Sequence, residues 1–192
     1  MLQRLYDWTM SIARHRNALL GLALVSFLES SVFPIPPDAL IIPIVLAARE
    51  KAWRVFVVAT AASVAGGWLG YAIGFFLFET IGEAVLSFYG YMDRFADWRA
   101  AYNEWGAWIV AAGGLTPIPY KVITIASGVM QTDLGVFTVA SVASRGLRFG
   151  LECLLLWYFG PPIKRFVEGN LPLLATLGFV LLLGGFIALK FL

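Results

Sequence analysis

Two proline clusters constrain this chain more than any other feature. Pro34-Ile35-Pro36-Pro37 and Pro117-Ile118-Pro119 each sit between apolar segments. Proline lacks the backbone N–H that a helix interior needs, and it pushes the preceding residue out of helical geometry. Neither apolar stretch can run on as one straight helix. Behind the first cluster, residues 39–48 supply ten apolar residues before Arg49-Glu50-Lys51. Ten helical residues rise about 15 Å, half of a ~30 Å hydrocarbon core. That arm is too short to cross a membrane alone.

Composition makes a bilayer the solvent of these arms. Of 192 residues, 60% are hydrophobic and 14% charged, and the mean hydropathy is +0.80. A soluble domain carries roughly 25% charged residues. The chain reads as one all-α membrane domain over residues 1–192. Its net charge of +2 is scattered, whereas nucleic acid needs a clustered cationic face. One cysteine (Cys153) and one histidine (His15) leave no disulfide, zinc site or histidine triad. With no P-loop or nucleophile elbow either, no enzyme activity, metal or cofactor is expected. The first apolar stretch holds Glu29 and lacks a small-residue cleavage pattern, so the N-terminus is expected to be retained.

Charge flanks set the expected topology. Residues 1–16 space Leu2, Leu5, Thr9 and Ile12 on one helical face, predicting an interfacial helix. Arg14 and Arg16 precede residues 17–48, and Arg49, Lys51 and Arg54 follow them. Positive flanks favour the cytoplasm, so both ends of this segment belong on one side. Residues 17–48 are thus a re-entrant hairpin, with the N-terminus cytoplasmic. Residues 55–78, without a formal charge, form a transmembrane helix. An acid-rich, aromatic connector follows over 79–104, then a second hairpin at 105–130 and transmembrane helices at 134–159 and 171–189.

The pattern repeats within the chain. Phe33-Pro34-Ile35-Pro36-Pro37-Asp38 lies over Thr116-Pro117-Ile118-Pro119-Tyr120-Lys121. Ser63 to Tyr71 lies over Ser141 to Phe149. The same order of hairpin and crossing helix occurs twice, with the hairpins entered from opposite sides. That predicts an inverted repeat and a polar cavity between the proline tips Pro34, Pro36, Pro37, Pro117 and Pro119, as in many secondary transporters. In this alignment Asp38 matches Lys121, and Gly67 and Gly70 match Arg145 and Arg148. Gly66, Gly70 and Gly74, four apart, predict close helix packing.

Glu29, Asp38, Lys121, Arg145, Arg148 and Glu152 fall within or beside apolar runs. Each charge at the bilayer centre costs on the order of 2.5–3.5 kcal/mol. They therefore pair or line a substrate and proton pathway. As structural pairs, Asp38 goes with Lys121 and Arg148 with Glu152 one turn along. As a pathway, Lys121, Arg145 and Arg148 bind an anionic headgroup, and Glu29 and Asp38 titrate.

Residues 27–38 (Phe-Leu-Glu-Ser-Ser-Val-Phe-Pro-Ile-Pro-Pro-Asp), the glycines 66–74 and the Pro-Ile-Pro-Tyr-Lys run resemble the DedA family. This is the bacterial branch of the VTT-domain (SNARE-associated Golgi) superfamily, and the likeness is closest to its YqaA-like subgroup. The resemblance implies two re-entrant hairpins in a multi-pass protein of the bacterial cytoplasmic membrane. It implies movement of lipids or lipid phosphates, proton-dependent, with Glu29, Asp38, Arg145 and Arg148 as the residues matching the family's charges. Many members carry arginines at the second tip, where this chain has Thr116, Tyr120 and Lys121. Three readings follow: a lipid or lipid-phosphate translocase, a proton-coupled small-solute transporter, and a non-transporting scaffold. Membrane lipids, and protons through the acids, are the expected partners. Oligomeric state is not legible.

Overall fold

The computed structural model describes residues 17–33, 36–116 and 119–169, which are helical apart from turns and contain no strand. The interfacial helix expected over 1–16 with His15, the tip residues Pro34 and Pro117, and the span at 171–189 lie outside them. Helices α1 (Ala18–Glu29) and α2 (Asp38–Ala47) flank the first proline cluster. Helix α3 (Ala52–Leu77) follows a single 3-10 turn at Arg49–Lys51. A π turn at Phe78–Gly82 and α4 (Glu83–Phe88) prolong it. Helix α5 (Met92–Glu104) leads to α6 (Gly106–Leu115) and α7 (Tyr120–Val129) around the second cluster, and α8 (Leu134–Gly169) closes the order.

Pro37 precedes α2 and its carbonyl accepts from the Leu40 and Ile41 amides, so the missing proline N–H falls where a helix start has no use for it. The four arm helices hold 10–12 residues each, about 15–18 Å, and none can span a bilayer alone.

Both long helices overrun their expected ends. The helix begun at Ala52 does not stop at 78 but continues to Phe88 through the π turn. There the Thr80 hydroxyl donates to the Phe76 carbonyl at 2.7 Å, competing with the backbone ladder. Helix α8 does not end at 159 either; it passes Pro161-Pro162 to Gly169. Pro162 cannot donate to the Tyr158 carbonyl four residues back. Arg49 Nη2 donates to that carbonyl instead, at 3.4 Å. Among the described residues, one segment, Arg49–Phe88, is apolar and long enough to cross a membrane by length and composition. Helix α8 is comparably long but carries Arg145, Arg148 and Glu152.

Packing along α3 orders the two hairpins. Ala18 and Leu22 of α1 join Ala52, Val55 and Ala59 in one buried cluster. Gly66 faces the Phe27 backbone, Gly70 faces both the Ser30 carbonyl and Thr124, and Gly74 faces Ile125 and Val129. Helices α1 and α7 thus lie end to end along α3 and meet at Gly70. A side chain at Gly66 or Gly74 would collide with backbone, which is why glycine stands there. Along α8 the same scheme holds. Val110 of α6 packs with Phe137 and Ala140, Gly114 abuts Ser144, and Leu46 of α2 reaches Gly160. Each long helix carries the helix before one proline cluster and the helix after the other.

Polarity is distributed the reverse of a water-soluble monomer's. Phe76, Trp108 and Val139 are exposed, while Ser26, Ser30, Ser63, Thr124, Ser127, Ser141 and Arg145 are buried. Large exposed apolar surface marks an interaction face.

Candidate functional site

The charged residues converge where the helices flanking the two proline clusters meet. Arg145 and Arg148 sit 11 and 14 residues beyond Leu134 at the start of α8, about 17 and 21 Å along it. Ser63 lies 11 residues beyond Ala52 in α3, at a matching depth. Glu29 ends α1 and Asp38 begins α2, so the first tip delivers one acid to each arginine.

Arg145 is 1% exposed and Glu29 13%. Arg145 Nη2 donates to Glu29 Oε2 at 2.8 Å, and Arg145 Nε donates to Ser63 Oγ at 2.8 Å. Ser63 and Ser30 hydroxyls lie 2.7 Å apart, and Ser30 Oγ donates to Glu29 Oε2 at 3.2 Å. Arginine only donates and a carboxylate only accepts, so the hydroxyls are oriented Arg145→Ser63→Ser30→Glu29. The direct arginine–carboxylate bond closes this into a ring. The guanidinium is also enclosed between the Tyr120 ring at 4.8 Å and the Phe149 ring at 4.5 Å. Tyr120, itself buried, donates to Ser141 Oγ at 2.6 Å. This half of the cluster is sealed.

The other half is open. Arg148 Nη2 donates to both Asp38 oxygens at 3.2 Å, and this pair is 30% and 28% exposed. Arg148 Nη1 lies 3.5 Å from the Thr116 carbonyl at the second tip. Lys121 Nζ donates to the Val32 carbonyl at the first tip, 3.3 Å away. The Glu152 carboxyl reaches that of Asp38, while its buried Oε2 has no hydrogen-bond partner.

Two expected pairings are corrected. Asp38 binds Arg148, not Lys121, because α2 packs on α8 and presents its first residue to that helix. Arg148 accordingly pairs with Asp38 and not with Glu152, although Glu152 is one turn along. Lys121 instead ties one tip to the other. Pro36 and Pro119 lie at exposed tip positions, and Pro37 is buried just before Asp38.

The connecting residues Ser30, Ser63, Tyr120 and Ser141 carry no charge to betray them in sequence. A signal existed, since Ser63 and Ser141 align when the sequence is laid over itself. Each binds a tip-side residue of its own hairpin, Ser30 in one case and Tyr120 in the other. Beyond the cluster, Tyr102 of α5 bonds Ser127 of α7 at 3.0 Å. Burial raises its phenol above the ordinary value, opposed by the Ser127 bond. Among the described residues, no three metal-ligating side chains gather.

A family model described as the VTT domain matches residues 35–158. The chain belongs to the DedA family, whose domain this is. An uncharacterized protein of Haemophilus influenzae is 38% identical over 156 residues, 81% of each chain. An uncharacterized protein of Histophilus somni is 35% identical over the same share of each. No solved structure matches. DedA proteins are generally membrane proteins proposed as transporters and are not known as enzymes. The matched region runs from the first tip to the Arg49 contact at Tyr158, and so includes Asp38, Arg145, Arg148 and Glu152.

Proposed function

We propose that this DedA protein translocates lipids or lipid phosphates across the bacterial cytoplasmic membrane, through a polar opening between two inverted, re-entrant hairpins. The observation that carries this reading is the contrast between the two ion pairs. The Glu29–Arg145 ring is sealed and ties the first hairpin to α3 and α8, whereas Asp38–Arg148 is about a third exposed at the junction of both tips. A guanidinium fork held open at that depth suits a phosphate headgroup, which takes two parallel hydrogen bonds from arginine. Exposed apolar helix faces beside it suit acyl chains that stay in the bilayer while the headgroup passes. The exchange of arms between α3 and α8 supports the inverted repeat, since a two-fold axis in the membrane plane produces that arrangement. The spans are then α3 and α8, with the N-terminus cytoplasmic.

Protons enter through acids. A headgroup that captures Arg148 releases Asp38, which lies against Glu152, and two adjoining carboxyls are most easily accommodated by taking up one proton. Binding and proton uptake are coupled by that exchange.

The test is headgroup movement in liposomes, using short-chain fluorescent phospholipids and a polyprenyl phosphate. Arg148→Gln should abolish movement with folding intact, and Asp38→Asn should remove its dependence on a proton gradient. Wild type that moves neither lipid above protein-free vesicles, with or without the gradient, would turn the assignment to a small-solute transporter or a scaffold.

A further inference from the structure

We infer that the protein holds an anionic phospholipid at a second site, in a groove at the Arg49 end of α3, separate from the tip cluster. The inference rests on the proposed embedding of α3 and α8, which brings the Arg49 turn to the cytoplasmic interface.

The groove encloses about 410 Å³ between the 3-10 turn, the start of α3 and the second half of α8. Its walls are Trp53, Phe56, Leu154 and Trp157, and its floor includes Gly150 and Cys153. The lining is almost wholly apolar except for Arg49 and Glu50. Trp53 and Trp157 are 71% and 49% exposed, so the groove opens outward, onto the surface that faces acyl chains. Gly150 leaves its floor without a side chain, and a Cβ there would sit in ordinary contact with the Phe56 ring at 3.4 Å.

Arg49 supplies the polar end. Its Nη2 is spent on the Tyr158 carbonyl that Pro162 leaves without a donor. That bond fixes the guanidinium across the mouth of the groove. Its Nε is buried and has no partner, with Gly160 providing the space beside it. With Nε enclosed, it is the rest of the Arg49 guanidinium, a lining group of the groove, that offers its charge to a lipid phosphate. Tryptophans at the headgroup level and a cation at the edge of an apolar slot together select one occupant, with its chain in the slot and its phosphate on Arg49.

The test uses the full-length protein in detergent. Phosphatidylglycerol and phosphatidylethanolamine of identical chains are titrated against it and bound lipid is counted by native mass spectrometry. Wild type should retain the anionic lipid about fivefold better, the factor one interfacial cation supplies. Arg49→Gln should erase that preference. Arg54→Gln, which removes the same charge from an exposed position outside the groove, should keep it. Trp157→Ala, at an exposed wall residue, should weaken both lipids equally. Equal retention of the two lipids by wild type would overturn the inference, as would equal losses in Arg49→Gln and Arg54→Gln. So would a photoreactive side chain at Trp157 that captures residues 170–192 or another protein in place of lipid. Vesicle translocation on the same preparations separates the two readings. Selective retention without lipid movement would sink the translocase alone, and movement without selective retention would sink this site alone.

Discussion

Replacing Glu29 by glutamine keeps the shape of the side chain and removes the charge that faces Arg145. Arg145 is 1% exposed and lies between two aromatic rings, so no water takes the place of the lost carboxylate. Leaving one member of a buried pair uncompensated costs about 3 kcal/mol. For a chain of this size each kcal/mol moves Tm by roughly 2–4 °C, so Glu29→Gln should lower it by about 6–12 °C. Asp38→Asn removes the same charge from a pair that is about a third exposed. Solvent screens that loss, and the cost should stay within about 1 kcal/mol. The assay is thermal unfolding of detergent-purified protein followed by size-exclusion chromatography, with Glu29→Gln/Arg145→Gln completing a double-mutant cycle. The double variant should be more stable than Glu29→Gln alone, because it removes the orphaned charge. Equal Tm losses for Glu29→Gln and Asp38→Asn, or a double variant no better than the single, would refute the division into sealed and open pairs.

Gly74→Ala should cost about 1–3 kcal/mol by forcing α3 away from the backbone of α7, whereas Gly21→Ala, with open space around it, should be neutral or gain up to about 1 kcal/mol; the same unfolding assay reads both. Tyr120→Phe leaves buried Ser141 without its 2.6 Å donor and should lose about 1–3 kcal/mol, measured against Tyr158→Phe at an exposed site. Thr60 Oγ1 is buried without a partner, so Thr60→Val should hold or raise stability by about 1 kcal/mol, and a clear loss would reveal a bound water there.

Local features of the fold could be read directly. Proline chemistry marked both tips, and the short arms that end there follow from it. The spacing of Gly66, Gly70 and Gly74 announced a packing face on α3. What spacing could not say is that this one face is shared, with Gly66 on α1, Gly74 on α7 and Gly70 against both. The arginines stood out because charge is costly in apolar sequence. Their partners did not, because pairing depends on which arm packs on which long helix. Asp38 meets Arg148 only because α2 crosses to α8, a relation 110 residues apart in the chain. The helix ends were misread for a simpler reason. Pro161-Pro162 signals a stop locally, yet a side chain from Arg49 relieves the carbonyl that the prolines strand.

The exchange of arms has a consequence for synthesis. Glu29 emerges from the ribosome 116 residues before Arg145. At ~5–20 residues per second that is a wait of roughly 6–23 s. Throughout it α1 has a long helix to lie along but no cation for its acid, and α2 has the start of α3 beside it but not α8. The acid at the end of α1 thus meets its arginine, and the cluster closes, only when α8 arrives.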